Sequence, residues 1–201
     1  MGCNNSTISK DPNVLTKIAA NAFLNRTNLQ SVEIFDNIES IEQGAFRGCS
    51  GLRHIVLSFT GLSKTATGKD SLFGNLFGIY SFSGASRIKQ YYGEGASDFE
   101  EFYIPNNIET IDIFSENISN YAFNNCTMIK KVSLFSGIKA IGDYAFAGCN
   151  LEEVFISKDL EQIGNYAFYE CDELQHVYYY SSTEDWNKII KGEGNECLSS
   201  A

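Results

Sequence analysis

One apolar phrase recurs along this chain at an almost fixed interval. It consists of isoleucine, three variable residues, alanine and phenylalanine, and its copies lie at 18–23, 41–46, 118–123, 141–146 and 163–168. Successive phenylalanines are 23 residues apart from Phe23 to Phe46 and from Phe123 to Phe146, and 22 apart from Phe146 to Phe168. A unit this short cannot bury its apolar face alone, so neighbouring copies must stack into a solenoid.

Each copy is followed by a run in which apolar and polar residues alternate, which is typical of a half-buried strand. Together with two further runs, this pattern predicts seven strands, at 29–34, 52–57, 99–104, 108–113, 129–134, 151–156 and 174–179. Because every coil returns in the same direction, we expect the strands to be parallel. The alanine–phenylalanine segments favour tight helical turns on the opposite wall.

Residues 58–98 interrupt the repeats. This segment is rich in glycine and also holds Phe73, Phe77, Tyr80, Phe82 and Tyr91. So many aromatic residues argue against a disordered linker. We expect an ordered insertion that covers part of the sheet. A hairpin is one form that this insertion can take.

Four of the six cysteines occupy one position of the repeat. Cys49, Cys126, Cys149 and Cys171 each follow the repeat phenylalanine by three residues, and Arg26 fills that position in the first copy. In a stacked column their Cβ atoms stay ~4.8 Å apart, beyond the ~3.8 Å that a disulfide prefers. We predict reduced, buried cysteines and no zinc site, since the chain has no C-x-x-C pair. Cys3 and Cys197 fall outside this column.

The charge balance bears on the class of partner. The net charge is −10 and the isoelectric point is near 4.6, which argues against nucleic acid because that partner requires a basic surface. No apolar run approaches the ~18 residues of a membrane span, and the N-terminus lacks the apolar region of a secretory signal.

The first residues leave two interpretations open. Met1-Gly2-Cys3 and Ser6 fit an N-myristoylation pattern, which would make the chain an intracellular, lipid-anchored scaffold. The other interpretation is a start placed on a fragment. It is favoured because 8–11 repeats the sequence of 156–159, so that the chain opens partway through a repeat. Any export signal would then lie upstream.

The outward strand positions are the candidate partner site. One predicted column reads Phe35, Ser58, Phe114, Phe135, Ser157, Tyr180, and its neighbour reads Glu33, Val56, Tyr103, Asp112, Ser133, Phe155, Tyr178. Exposed aromatic patches often mark partner sites. The candidate binding residues are Phe35, Phe114, Phe135, Phe155, Tyr178 and Tyr180. Two alternatives are that the insertion covers this face, and that 178–180 with Trp186 seals the last coil.

Nothing in the chain indicates catalysis. The two histidines, His54 and His176, would lie five coils or roughly 24 Å apart in a sheet of seven ordered strands, too far for a shared dyad. The glycine-rich insertion lacks the phosphate-binding patterns. We therefore predict no catalytic, cofactor-binding or metal-binding residues.

The motifs together resemble the BspA-type leucine-rich repeat of bacterial surface proteins. The stretch from Ile141 to Cys149 is a near-complete copy of its signature. Parts of 76–105 resemble an insertion found in bacterial members, and 177–195 resembles their terminal element. The chain departs from the pattern at Arg26, at Ala19 and in the extra residues 12–14.

The resemblance implies a β-rich leucine-rich-repeat solenoid of α/β type. Its parallel sheet would line the concave side, and short helical turns and loops the convex side. We expect one domain over 1–201, with repeats at about 8–57 and 99–180, the insertion at 58–98 and a C-terminal cap at 181–201. The family implies a secreted or surface-attached, non-catalytic module that adheres to a host or bacterial surface protein or glycan, and we expect a monomer. The alternative is a structural spacer without a ligand.

Overall fold

The repeats form a solenoid in the computed structural model, which describes residues 5–7 and 15–200. The acylation pattern at Gly2 and Cys3 and the repeat fragment at 8–11 lie outside the described residues. The shape of the molecule follows from the stacking of one coil on the next, and the order of its elements repeats accordingly.

The described residues contain fifteen short strands, two 3-10 turns and two short helices. In chain order the strands are β1 (Asn5–Thr7), β2 (Lys17–Ile18), β3 (Ser31–Glu33), β4 (Ser40–Ile41), β5 (His54–Leu57), β6 (Ala85–Tyr91), β7 (Phe99–Pro105), β8 (Thr110–Ile113), β9 (Asn117–Ile118), β10 (Lys131–Leu134), β11 (Ala140–Ile141), β12 (Glu153–Ile156), β13 (Gln162–Ile163), β14 (His176–Tyr179) and β15 (Ile190–Lys191). The 3-10 turns are Gly68–Ser71 and Phe73–Leu76, and the helices are α1 (Thr183–Lys188) and α2 (Cys197–Ser200).

Seven strands form one parallel sheet in the order β1-β3-β5-β8-β10-β12-β14. Its register joins equivalent repeat positions, so that Val132 lies opposite Val154 and Val154 opposite Val177. Buried and partly exposed residues alternate along β5, β8, β10 and β12, as expected when one face of a sheet covers the core. The predicted parallel sheet is confirmed. Its outward side is called the concave face below.

The opposite wall carries the alanine–phenylalanine phrases. The isoleucine of each copy ends a two-residue strand; β9, β11, β13 and β15 pair in one small sheet, and β2 pairs with β4. The sequence analysis missed these strands because two residues are too few to show a period. Hydrogen-bonded turns follow, and the buried rings of Phe123, Phe146 and Phe168 stack with centroids 5.1 and 5.3 Å apart.

The repeat cysteines are free and buried, as predicted. Three of the thiols donate to the carbonyl oxygen of the phenylalanine one coil earlier, as Cys49 does to Phe23 at 3.1 Å. Burial raises the pKa of Cys49 to about 11, which keeps its donor proton in place. The expectation that Cys197 lies outside this column is wrong. Its sulfur lies 3.3 Å from the Phe168 carbonyl oxygen, so α2 supplies a further member of the column.

The insertion at 58–98 lies on the wall opposite the concave face and replaces one coil there. Phe46 donates its N–H to the Leu76 carbonyl 2.9 Å away, and the ring of Phe73 packs 5.0 Å from that of Phe123. The segment is thus inserted between two repeats in the phenylalanine stack. The expectation that it covers part of the sheet is wrong, because the segment lies on the opposite wall and Phe114, Phe135, Tyr178 and Tyr180 on the outward side of the sheet are exposed.

The predicted strand at 99–104 does not belong to the main sheet. It is part of β7, which pairs antiparallel with β6 in a hairpin, with Ile88 opposite Phe102. In the main sheet β5 therefore pairs directly with β8, His54 lying opposite Thr110, and β1 is the seventh strand. Alternation of apolar and polar residues indicates a strand in both settings and does not identify the partner strand, which explains the error.

One buried glutamine fastens the hairpin to the repeats. Gln90 lies in β6 and is fully buried. Its Oε1 accepts from the Gly74 N–H at 2.7 Å, and its Nε2 donates to the carbonyl oxygens of Ala122 and Asn124, each at 3.2 Å. A side chain at Gly74 would not fit, because a Cβ there would lie 2.3 Å from the ring of Phe102.

Candidate binding face

The register of the main sheet arranges the outward side chains of the concave face in three columns. The first column contains Ser31, His54, Thr110, Lys131, Glu153 and His176. The second contains Glu33, Val56, Asp112, Ser133, Phe155 and Tyr178. The third, just beyond the strand ends, contains Phe35, Ser58, Phe114, Phe135, Ser157 and Tyr180. The expectation that Tyr103 belongs to the second column is wrong, because Tyr103 lies in the hairpin strand β7.

The six predicted binding residues all lie in the second and third columns. Phe114, Phe135, Tyr178 and Tyr180 are exposed by 49%, 39%, 42% and 66%, and Phe35 and Phe155 are half-buried. Phe114 stacks on Phe135 with centroids 4.3 Å apart, and Phe155 stacks on Tyr178 at 4.5 Å. These short stacks follow from the ~4.8 Å spacing of adjacent strands, which brings side chains of one column into contact.

Two clefts interrupt the third column at its serines. The acidic cleft, of about 720 Å³, lies over Ser58 between Phe35 and Phe114, and Glu33, Asp36, His54, Val56 and Asp112 also line it. The lysine cleft, of about 470 Å³, lies over Ser157 between Phe135 and Tyr180, and Lys131, Phe155, Lys158 and Asp159 also line it. A serine between two aromatic positions leaves room for a group the thickness of a ring. Sequence analysis missed both clefts, although the serines already stood in the predicted column.

The lysine cleft carries mixed charge and one unusual serine. Lys131 pairs with Glu153 at 3.2 Å and lies 4.3 Å from the ring centroid of Phe155. Asp159 accepts the Gly137 N–H at 3.0 Å. Ser157 is buried, and its hydroxyl has no hydrogen-bond partner among the described residues.

The acidic cleft contains a hydrogen-bonded pair between neighbouring strands. His54 Nε2 lies 3.0 Å from Asp112 Oδ2. This hydrogen bond raises the pKa of His54; burial acts against the rise, and the charges of Asp112 and Glu33 add to it. Burial acts to raise the pKa of Asp112, but hydrogen bonds from His54 and Ser133 outweigh it and hold that pKa below its usual range.

The His54–Asp112 pair makes stability depend on pH. A histidine with a raised pKa in the folded chain stabilises the fold fully below its unfolded pKa of about 6.5, and this contribution is lost as the pH rises through the folded pKa. We expect His54→Gln to cost more stability near pH 5.5 than near pH 9, by less than about 1 kcal/mol because the pair is partly exposed. Urea denaturation at the two pH values measures the difference.

His176→Gln is the matched control, since His176 lies in the same column and no carboxylate bonds to it in the described part of the chain. The difference in cost between pH 5.5 and pH 9 should be smaller in this variant than in His54→Gln. An equal cost of His54→Gln at both pH values would contradict the assigned role of the pair.

The two histidines lie in the same column but four strand spacings apart, and not five as predicted, because 99–104 is outside the main sheet. At ~4.8 Å per spacing they are roughly 19 Å apart, which still prevents a shared dyad. Among residues 15–200, no three His, Cys, Asp or Glu side chains are grouped so as to hold a metal ion. In the same residues no helix is long and apolar enough to cross a membrane.

The coils, their parallel sheet and their phenylalanine and cysteine columns define a repeat solenoid of the leucine-rich class. The sequence model of the family described as BspA type leucine rich repeat region matches the chain in six copies, over residues 16–115 and 88–190. The chain therefore belongs to the BspA-type leucine-rich-repeat family. No curated protein is similar enough in sequence to count as a relative.

Solved structures of bacterial repeat proteins are similar to this chain at low identity. A leucine rich cell surface protein from Faecalibacterium prausnitzii A2-165 is 18% identical over 88% of this chain and 79% of that chain, with a TM-score of 0.41. The T. pallidum leucine rich repeat protein is 20% identical over 85% and 78% of the two chains, with a TM-score of 0.39. A Bacteroides ovatus ATCC 8483 leucine-rich repeat protein is 15% identical over 88% and 63%, with a TM-score of 0.27.

Proposed function

We propose that this chain is a non-catalytic binding module of a secreted or surface-attached bacterial protein. In this proposal its concave face engages a protein or glycan on a host or bacterial surface, and the chain acts as a monomeric single domain over 1–201. Membership of the BspA-type family supports the location, because the resemblance to this family implies a secreted or surface-attached protein. The repeat solenoid also supports a role in binding, because stacked coils present an extended surface.

The observation that carries the proposal is the exposed aromatic cluster of the concave face. Four aromatic side chains lie in adjacent columns and are exposed, and the insertion does not cover them: Phe114, Phe135, Tyr178 and Tyr180. Soluble proteins seldom expose contiguous aromatic patches without a partner, and aromatic residues dominate binding energy where they are buried at interfaces.

Adhesion of beads coated with the protein tests the proposal. The double variant Phe114→Ala/Phe135→Ala should reduce attachment to immobilised extracellular-matrix proteins or to epithelial or bacterial cells by about tenfold or more, since two stacked aromatic anchors are lost. Tyr169→Ala is the matched control, because Tyr169 is 45% exposed on the opposite wall. This control should adhere like the parent protein.

Unchanged adhesion of the double variant would contradict a role of the concave face. That outcome would favour the spacer, in which the repeats only display other parts of a surface protein. An equal loss of adhesion in Tyr169→Ala would show that attachment is caused by non-specific binding of exposed aromatic residues and not by the concave face.

A further inference from the structure

Building on the proposed function, we infer that the acidic cleft binds a lysine or arginine side chain of a protein partner. The cleft combines two features that favour a cation: an aromatic ring face and a rim of carboxylates. This inference selects a protein with an exposed basic segment over a glycan as the ligand of the concave face.

The ring of Phe114 lies at the distance that a cation needs. Phe114 stacks on Phe135 with one face, and its other face points along the third column towards Ser58. A cation over Ser58 would be one strand spacing from Phe114, or ~4.8 Å from its ring. This distance is within the ~6 Å over which a cation is attracted to a ring face.

The rim of the cleft supplies negative charge. Glu33, Asp36 and Asp112 line it, and among residues 15–200 neither a lysine nor an arginine lines it. Lys64 is not among the residues that line the cleft, but it donates to the backbone oxygen of Asp36. The histidine of the cleft, His54, is already hydrogen-bonded to Asp112. Val56 on the floor offers apolar surface to the methylene groups of a long basic side chain.

The lysine cleft shows that this charge pattern is specific to one site. It has the same arrangement of a serine between two aromatic positions, but Lys131 and Lys158 line it and would repel a second cation. A basic residue should therefore discriminate between the two clefts. The net charge of −10 also attracts a basic partner during encounter.

Titration of the ¹⁵N-labelled chain with three short peptides tests this inference. The peptides are acetyl-Ser-Gly-X-Gly-Ser-amide with X as lysine, arginine or norleucine, the last being a neutral analogue of lysine. The lysine and arginine peptides should shift the amide signals of Val56, Ser58 and Phe114. They should bind about two- to fivefold or more tightly than the norleucine peptide, which is the range of an exposed cation–ring contact.

Two variants separate the contribution of the aromatic ring to binding from the contribution of the negative charge. Phe114→Leu keeps apolar surface but removes the ring face, and Glu33→Gln removes one carboxylate of the rim; each should reduce the preference for lysine over norleucine. Glu193→Gln is the matched control, because it makes the same charge change at an exposed site outside the concave face. The preference should persist in this control.

Equal binding of the lysine and norleucine peptides would overturn the inference, as would equal loss of the preference in Glu193→Gln and Glu33→Gln. These outcomes differ from a failure of the proposed function. If the double phenylalanine variant loses adhesion while the peptides show no preference, the concave face binds a partner but not through a cation. If the lysine peptide binds the cleft while adhesion is unchanged, the cleft inference stands and the adhesive role fails.

Discussion

Replacing Phe146 by alanine is expected to lower the free energy of unfolding by about 3–5 kcal/mol. Phe146 is fully buried and lies between Phe123 and Phe168 in the ring stack of the core. Its removal leaves a cavity with a ring on each side, and neither ring can move without leaving its own coil. Denaturation by guanidinium chloride, followed by circular dichroism, measures the change.

Phe135→Ala is the control for this prediction, since it makes the same substitution on the concave face. Phe135 is 39% exposed and mainly loses its stacking contact with Phe114, so the cost should remain below about 1.5 kcal/mol. Comparable losses in the two variants would mean that the phenylalanine stack is not the main packing contact between coils. A small loss in Phe135→Ala also shows that adhesion variants at this position remain folded.

Replacing Gln90 by leucine is expected to destabilise the protein by about 2–4 kcal/mol, because a buried donor and a buried acceptor lose their partners. The donor is the Gly74 N–H, and the acceptor is the Asn124 carbonyl oxygen. The Ala122 oxygen keeps its bond from the Phe73 N–H and should be less affected. The loss should be local to the insertion, so hydrogen exchange at Gly74 and Tyr91 should accelerate more than exchange in β12 and β14.

The matched control for Gln90→Leu is Gln175→Leu, which makes the same substitution at an exposed position before β14. Its stability should change by less than about 0.5 kcal/mol. If Gln90→Leu accelerated exchange equally in β14, the hairpin would be part of the global folding unit and not a separately docked segment.

The repeated part of the fold could be predicted because the same residue types recur at the same positions. Five phrases and their strands identify a solenoid, and the column of Cys49, Cys126, Cys149 and Cys171 follows from spacing alone. The non-repeated part could not be predicted in this way. Local alternation at 99–104 indicates a strand, but the partner of β7 depends on contacts distant in sequence, including the buried amide of Gln90.

The sequence predicts which residues point outward from the sheet, but it does not predict the two clefts between them. Alternation along a strand determines which residues point outward, and it placed Phe35, Phe114, Phe135, Phe155, Tyr178 and Tyr180 on the concave face. The acidic cleft depends in addition on which strands are adjacent. Asp112 reaches His54 because β8 pairs directly with β5. The sequence analysis expected the strand at 99–104 to lie between these two strands, and it therefore did not predict this contact.

The direct pairing of β5 with β8 also bears on the order in which the molecule assembles. His54 and Thr110 are 56 residues apart, whereas the equivalent residues of β10 and β12, Lys131 and Glu153, are 22 apart. The longer loop adds only about 0.8 kcal/mol of closure entropy, since that cost grows with the logarithm of loop length. We therefore expect pairs with short loops, such as β10 with β12 and β3 with β5, to form before β5 pairs with β8. The three N-terminal strands of the main sheet, β1, β3 and β5, would then join the four C-terminal strands at a small thermodynamic cost and with a delay in time.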